Sequence, residues 1–275
     1  MTTPKILITG ATGKTGSRIL TRLWDMSIPA RAASRGSDIP FDWEAPETWP
    51  AALDGIDTVY VSYFPDLAVP GAVDTIAAFC DAAKAAGVRH LILLSGRGET
   101  HAKECEDLVR ESGLIYTLLR CAWFSQNFSE GYLRDPMMAG VIALPAGDTC
   151  EALVDVEDIV DVAIAALTEE GHENQLYEIT GPRLMHFSQV AAELSRAANR
   201  PVTYTPLTLE QFRAGMTQAA GPFIADVITH VCSEALDGRN EWLGDGVQRA
   251  LGRAPRDFAD FCTHAARMGV WRDAA

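Results

Sequence analysis

The chain has 275 residues, enough for one large domain or two interlocked ones, and it is 48% hydrophobic and 22% charged, as globular proteins are. Its formal net charge of −14 argues against nonspecific nucleic-acid binding, which relies on Lys and Arg to hold phosphates. No apolar run approaches the ~20 residues that cross a bilayer, and the N-terminal MTTPKILITG lacks the basic-then-apolar pattern of a signal peptide.

Along the first half, strand and helix alternate. KILITG (5–10) reads as a strand, and 14–26 as a helix with Ile19, Leu20 and Leu23 on its inner face. PARAAS (29–34) and IDTVYVSY (56–63) read as further strands. Pro70 opens a helix whose apolar face is Val73, Ile76, Ala77 and Cys80, closed by Gly87. HLILLSG (90–96) is a continuous apolar strand, as expected where both faces of a parallel sheet are covered. A helix over 99–112 follows, with Ala102, Cys105, Leu108 and Val109 inward, and then the strand LIYTLLR (114–120). The alternation predicts a doubly wound parallel sheet, a Rossmann-like α/β fold.

Beyond Arg120 the pattern changes. The stretch 121–140 is partly helical and rich in aromatics, ending in a turn at Gly140. Asp155 caps a helix carrying Val156, Ile159, Val160, Ala163, Ile164 and Leu167 on one stripe. LYEITGP (176–182) returns to the main sheet, and the remainder is mainly helical, broken by the strand VTYTPL (202–207). The expected organisation is a dinucleotide-binding domain over 1–150, with 151–181 returning to its sheet, and a smaller substrate-binding domain over 182–275 that leans on the sheet's carboxyl edge.

GATGKTG (10–16) follows the first strand directly and starts a helix. Gly10, Gly13 and Gly16 allow a tight turn, close approach of the backbone to a pyrophosphate, and helix–sheet packing. Thr12, Lys14 and Thr15 stand between them, and the helix N-terminus adds free N–H groups and partial positive charge. After the second strand an Asp or Glu would bind the ribose diol of NAD(H). Here Ser34 and Arg35 stand there instead, a short donor and a charged fork suited to a 2′-phosphate, and with Lys14 they favour NADP(H) over NAD(H). In FDWEAP (41–46), Asp42 and Trp43 are candidates for an adenine pocket, Trp43 being equally a core anchor.

The G-x-x-G-x-x-G spacing resembles the extended and atypical short-chain dehydrogenases/reductases. Further stretches, LLSGRG (93–98), WFSQNFSEG (123–131), LPAGD (144–148), the run 154–182 and DGVQRALGRAPRDF (245–258), resemble the NmrA-like family of that superfamily. LTEEGHENQLYEITGP (167–182) is close to the type-2 quinone oxidoreductases and triphenylmethane reductases. The resemblance covers the whole chain. It implies an NADP(H) cofactor and either a reductase or a redox-sensing regulator that binds the nucleotide without turnover.

Reductases of the larger superfamily use a Ser and a Tyr-x-x-x-Lys pair. Ser95 ends its strand where the Ser lies, and it is also placed near the cofactor. The next helix, however, has no tyrosine, and Tyr116 lies in the following strand. Lys103, the helix's one lysine, is a candidate for the nicotinamide ribose or proton donation, with a solvated surface charge as its alternative. His101 is the alternative acid. Arg97, between two glycines, is a candidate for phosphate or substrate contact, or a solvated arginine. By resemblance, Tyr63 and Phe64 line the inner ribose and nicotinamide, and 120–128 faces the nicotinamide. Trp123 and Phe124 would there stack on a flat substrate, with Gln126 or Asn127 fixing a polar group.

The six cysteines lie far apart with no C-x-x-C, which reads as reduced, mostly buried thiols, with neither a disulfide framework nor a metal site. The expectation is a cytosolic protein with a small-molecule substrate and no nucleic-acid or membrane partner, and a homodimer is left open. The favoured function is NADPH-dependent hydride transfer to a small conjugated, quinone-like or imine/iminium acceptor, which needs little proton donation. The alternatives are an NADP(H)-sensing regulatory protein and a non-redox enzyme on the same fold.

Overall fold

The computed structural model describes residues 5–272. Ten strands are present among them: β1 (Ile6–Thr9), β2 (Ala30–Ala33), β3 (Thr58–Val61), β4 (His90–Gly96), β5 (Ile115–Cys121), β6 (Val141–Leu144), β7 (Cys150–Glu151), β8 (Gln175–Ile179), β9 (Met185–His186) and β10 (Thr203–Pro206). Six of them form a parallel sheet in the order β2-β1-β3-β4-β5-β8. Leu7, Ile8, Val59, Leu91, Ile92 and Leu118 are buried in it, as strands covered on both faces require. The helices Gly16–Asp25 and Val156–Thr168 pack on one face, burying Ile19, Leu23 and Ile159. Ala72–Ala85 and Thr100–Glu111 pack on the other, burying Ile76, Phe79 and Cys105. Asp155 caps its helix as expected, its carboxylate accepting from the Glu157 N–H at 3.0 Å.

Two expectations are corrected locally. The third strand stops at Val61 and not at Tyr63. There the chain turns out of the ladder, the Ser62 N–H donating to Thr9 Oγ1 at 2.7 Å and the Trp43 indole N–H to Ser62 O at 3.3 Å. On the helix Thr100–Glu111, Leu108 is half-buried, and the fully buried place belongs to Glu106. That carboxylate is held by Arg120 of β5, whose Nε donates to Oε1 at 3.0 Å and whose Nη2 donates to Oε2. The ion pair is what makes burial of the charge tolerable.

A second core lies beside the sheet, built from Phe128, Met137, Ile142, Phe187, Phe212 and Phe261 among others. It draws on residues before position 150 as well as after 182, because β5 already has β4 on one edge and β8 on the other. β6 therefore pairs in parallel with β10, Val141 opposite Thr203, and β7 pairs antiparallel with β9. The expected single strand in the last third is accordingly joined by short partners. From this second unit the helix Pro222–Ala235 reaches over the carboxyl edge of the sheet with Val227, Ile228 and Val231. All six cysteines are free and five are buried, and among the described residues no helix is long and apolar enough to cross a membrane.

Candidate active site

A crevice of about 630 Å³ runs along the carboxyl ends of β1, β3, β4 and β5. It opens where the strand order reverses, β1 lying between β2 and β3, the place where open α/β sheets hold ligands. Its volume is in the range of small-molecule sites.

One end is formed by the glycine loop. Gly10 adopts φ +60°, and its carbonyl accepts from the Gly13 N–H at 2.8 Å, closing the turn. Gly16 packs so tightly that a Cβ would stand 2.3 Å from Gly10 O. It holds the helix against the loop without facing the crevice. Gly10, Thr12, Gly13, Lys14 and Thr15 all line the crevice. Burial lowers the pKa of Lys14, partly opposed by Glu130. Ser34 and Arg35 line the same end, Ser34 Oγ 2.8 Å from Ser37 Oγ and the Arg35 guanidinium 5.9 Å from the Phe64 ring centroid. No acid stands at the end of β2. Tyr63 and Trp43 continue this wall with ring centroids 5.2 Å apart. Trp43 is a core anchor, buried against Phe41, Trp49 and Phe79, and it also lines the crevice. Asp42 lines the crevice too, although its carboxylate already accepts from the Glu44 N–H at 3.1 Å.

The other end is largely apolar. Trp123, Phe124, Val227, Ile228 and Val231 form its walls, with Tyr132 and Asn127 beside them. Trp123 is held by Phe187 at 5.7 Å and Tyr132 at 6.5 Å between ring centroids. Ser95 lies at the carboxyl end of β4, 4% exposed, its hydroxyl without a hydrogen-bond partner. Arg97 is 2% exposed, so the solvated alternative is overturned. Its Nε donates to Glu178 at 2.8 Å, its Nη2 to Trp242 O at 2.9 Å, and the guanidinium lies 4.5 Å from the Trp242 ring centroid. It ties β8 and the C-terminal segment to the crevice floor.

Three of the expected residues stand elsewhere. Lys103 points into solvent and pairs with Asp107 one helical turn on, at 2.6 Å. Its neighbours Ala102, Cys105 and Val109 face the core, which leaves position 103 on the outer side. His101 Nδ1 lies 2.9 Å from the Ala68 carbonyl, outside the crevice lining. Gln126 is buried behind the wall. Its Nε2 donates to Asp155 at 2.6 Å and its Oε1 accepts from the Val156 N–H at 2.9 Å, so both ends of the amide serve a helix start.

The acids of the crevice went unread in the sequence. Asp66 and Glu99 are close enough to act on each other's acidity. Burial first, then the charge of Asp66, holds Glu99 well above the carboxylate range, and burial raises Asp66 as well. Glu151, 1% exposed, has neither carboxylate oxygen hydrogen-bonded; its nearest cation is Arg97 Nη1 at 4.0 Å. Burial pushes its pKa up to about 7. Single acids carry no spacing signal, whereas Val227, Ile228 and Val231 form a helical stripe that could have been noticed.

Residues 10–170 match the model of a family described as NAD(P)H-binding, which spans the glycine loop, Arg35 and the crevice residues through Glu151. The chain belongs to this NAD(P)H-binding family. A curated relative, the NAD(P)H azoreductase of Xenophilus azovorans, is 34% identical over 288 residues, covering 96% of this chain and 99% of the relative. An NADPH-dependent quinone oxidoreductase from Escherichia coli, solved with NADPH, superposes with a TM-score of 0.75 at 25% identity, covering 94% of this chain and 99% of its own. The Citrobacter sp. triphenylmethane reductase, solved with NADP(H), gives 0.77 at 22% identity over 94% and 99% of the two chains, a likeness of fold. Membership fits the geometry of the crevice: a dinucleotide needs the glycine turn and helix N-terminus at one end and room for its nicotinamide at the other.

Proposed function

We propose that the protein is an NADPH-dependent reductase of flat, conjugated acceptors such as quinones, azo compounds and imines or iminium ions. The observation that carries this reading is the continuity of one crevice, from a cationic nucleotide end to an open, aromatic and aliphatic end. Gly10, Thr12, Gly13, Lys14 and Thr15 would hold the pyrophosphate, and Ser34 and Arg35 the 2′-phosphate. Arg35 is exposed and stands where an acid would select NAD(H). Tyr63, Phe64 and Ser95 would border the inner ribose and nicotinamide. When bound, the reduced dinucleotide supplies a hydride. The chain's own part is to orient the acceptor between Trp123, Phe124 and the Val227–Val231 face and to keep water from it.

The names of the similar proteins support the acceptor class, since they include an azoreductase and a quinone oxidoreductase. An open apolar end favours turnover over sensing, because a pure sensor has no use for a second pocket. The test is loss of dihydronicotinamide absorbance with menadione, an azo dye and a cyclic imine, comparing NADPH with NADH. Reduction of at least one acceptor with NADPH preferred is expected. Tight NADPH binding with no acceptor reduced refutes the reductase reading.

A further inference from the structure

Among the described residues, the other buried acids of the helices and of the sheet's flank are held by close side-chain or backbone donors. Glu106 is held by Arg120, Asp155 accepts from Gln126 and the Glu157 N–H, and Asp158 accepts from Arg256. Glu151 is the exception in the apolar end of the crevice, and it is not alone. Ser95 Oγ, Arg97 Nη1, Tyr132 Oη and both Glu151 carboxylate oxygens are buried without a hydrogen bond of normal geometry, although the Trp123 and Ala152 N–H groups lie near enough to Glu151 to lower its pKa and the Cys232 thiol neighbours Tyr132. These four side chains come from separate places, the end of β4, the loop after it, the segment after Asn127–Glu130, and β7, yet all four line one crevice. Native proteins leave few buried polar atoms unmatched, and a convergent set is a mark of a site that a ligand completes.

The charges facing Glu151 narrow the ligand. Arg97 approaches it from the loop after β4, but that guanidinium is already paired at 2.8 Å with Glu178 of β8. Glu241, from the segment after the helix Pro222–Ala235, adds a further negative charge that raises Glu151. With two carboxylates around one arginine the floor has no net positive charge, so it does not suit a carboxylate or phosphate. It suits a neutral hydrogen-bond acceptor, taking donated hydrogen bonds from Ser95 and from a carboxylic acid.

We infer that Glu151 is the acid that grips the acceptor heteroatom, a carbonyl oxygen or an azo or imine nitrogen, and gives it a proton as it is reduced. This rests on the reductase reading for the reductive step and on the crevice geometry for the binding step. The acceptor gains a hydride from the reduced nicotinamide at one end of its conjugated system, forming a C–H or N–H bond. The displaced π electron pair moves to the heteroatom. The Glu151 O–H bond breaks as that atom takes the proton, and the carboxylate left behind faces Arg97 until solvent reprotonates it. A burial-raised pKa near neutrality matches this duty.

The test uses the full-length protein, its Glu151→Gln and Glu151→Asp variants, and menadione as probe. In the cofactor-free wild type, infrared difference spectra are expected to contain a carboxylic-acid band absent from Glu151→Gln, titrating near neutral pH and shifting when menadione is added. With NADPH, Glu151→Gln should lose about a hundredfold or more in kcat/KM for menadione and lose the basic limb of its pH profile. NADPH affinity should stay unchanged, and Glu151→Asp should restore part of the limb. A band that menadione does not move overturns the inference, whatever the turnover. So does a Gln variant with wild-type kcat/KM and the same basic limb. If the band shifts while wild-type protein reduces nothing, the reductase reading fails and the carboxylic acid stands as a ligand anchor.

Discussion

Replacing Glu151 with glutamine should stabilise the folded protein at pH 8 and leave it unchanged near pH 4. The carboxyl is 1% exposed and its pKa rises from 4.5 to about 7, because burial outweighs the attraction of Arg97 and of the Trp123 and Ala152 N–H groups. Between those pH values the folded chain keeps a proton that the unfolded chain has released. Stability therefore falls as pH rises through this window and is flat above it. At 1.36 kcal/mol per pKa unit the loss approaches about 3 kcal/mol at pH 8, roughly 5–10 °C in melting temperature for a chain of this size. Glutamine has the same shape and no charge to desolvate, and Arg97 keeps Glu178 at 2.8 Å in the variant. Urea unfolding of both proteins at closely spaced pH values measures the difference directly. A difference that does not grow between pH 4.5 and 7, or that favours glutamate at pH 8, refutes the assignment of a proton to this carboxyl at neutral pH.

Changing Arg35 to aspartate should weaken NADPH roughly 10- to 100-fold while leaving NADH equal or better, since hydrogen bonds to charged groups are worth about 1.5–3 kcal/mol; fluorescence titration with both nucleotides checks it. A Gly16→Ala variant places a methyl 2.3 Å from Gly10 O and should cost about 1–3 kcal/mol together with NADPH affinity, read by urea unfolding and by the same titration. Arg120→Ala strands the fully buried Glu106 carboxylate and should destabilise by about 3–5 kcal/mol, visible as an early calorimetric transition. Val231→Trp fills the apolar end and should raise KM for menadione about tenfold or more without altering NADPH affinity, because the nucleotide end lies across the crevice.

What the sequence made legible follows the range of the forces involved. Strand β4 was readable to the residue, because a run of apolar side chains reports burial on both faces whatever the partner strands are. The glycine turn was readable because its constraint is local: Gly10 bonds Gly13 and abuts Gly16, all within one loop. The absence of an acid after β2 is similarly a one-position fact. For Lys103 the structure shows the solvated alternative, and a local signal favours it, the i,i+4 spacing to Asp107 that marks a solvated helix pair. Gln126 and Arg97 were beyond such reading. One serves the start of a helix 29 residues away, and the other is fixed by a glutamate 81 residues on and a carbonyl 145 residues on. The protonated acids belong to the same class, since burial of Glu151 is set by an assembly of distant segments and leaves no mark on its neighbours in the chain.

That division has a consequence for how the crevice works. Its nucleotide end is built from the sheet, where every strand is pinned by two neighbours or by a covering helix. Its acceptor end is built across two cores: Trp123 leans on Phe187, while Val227, Ile228 and Val231 come from a helix that leaves the second core to reach the sheet. Changes in that helix alter the shape of the acceptor pocket without touching the glycine loop or Arg35. Glu151 sits at the joint, on a two-residue strand whose partner, Met185–His186, leads into the second core and whose nearest cation, Arg97, belongs to the sheet. The group placed to hand over a proton is thus held by both units. A change in their relative seating would act on the distance between Glu151 and Arg97, and through it on the acidity of the carboxyl, before it disturbed the nucleotide end.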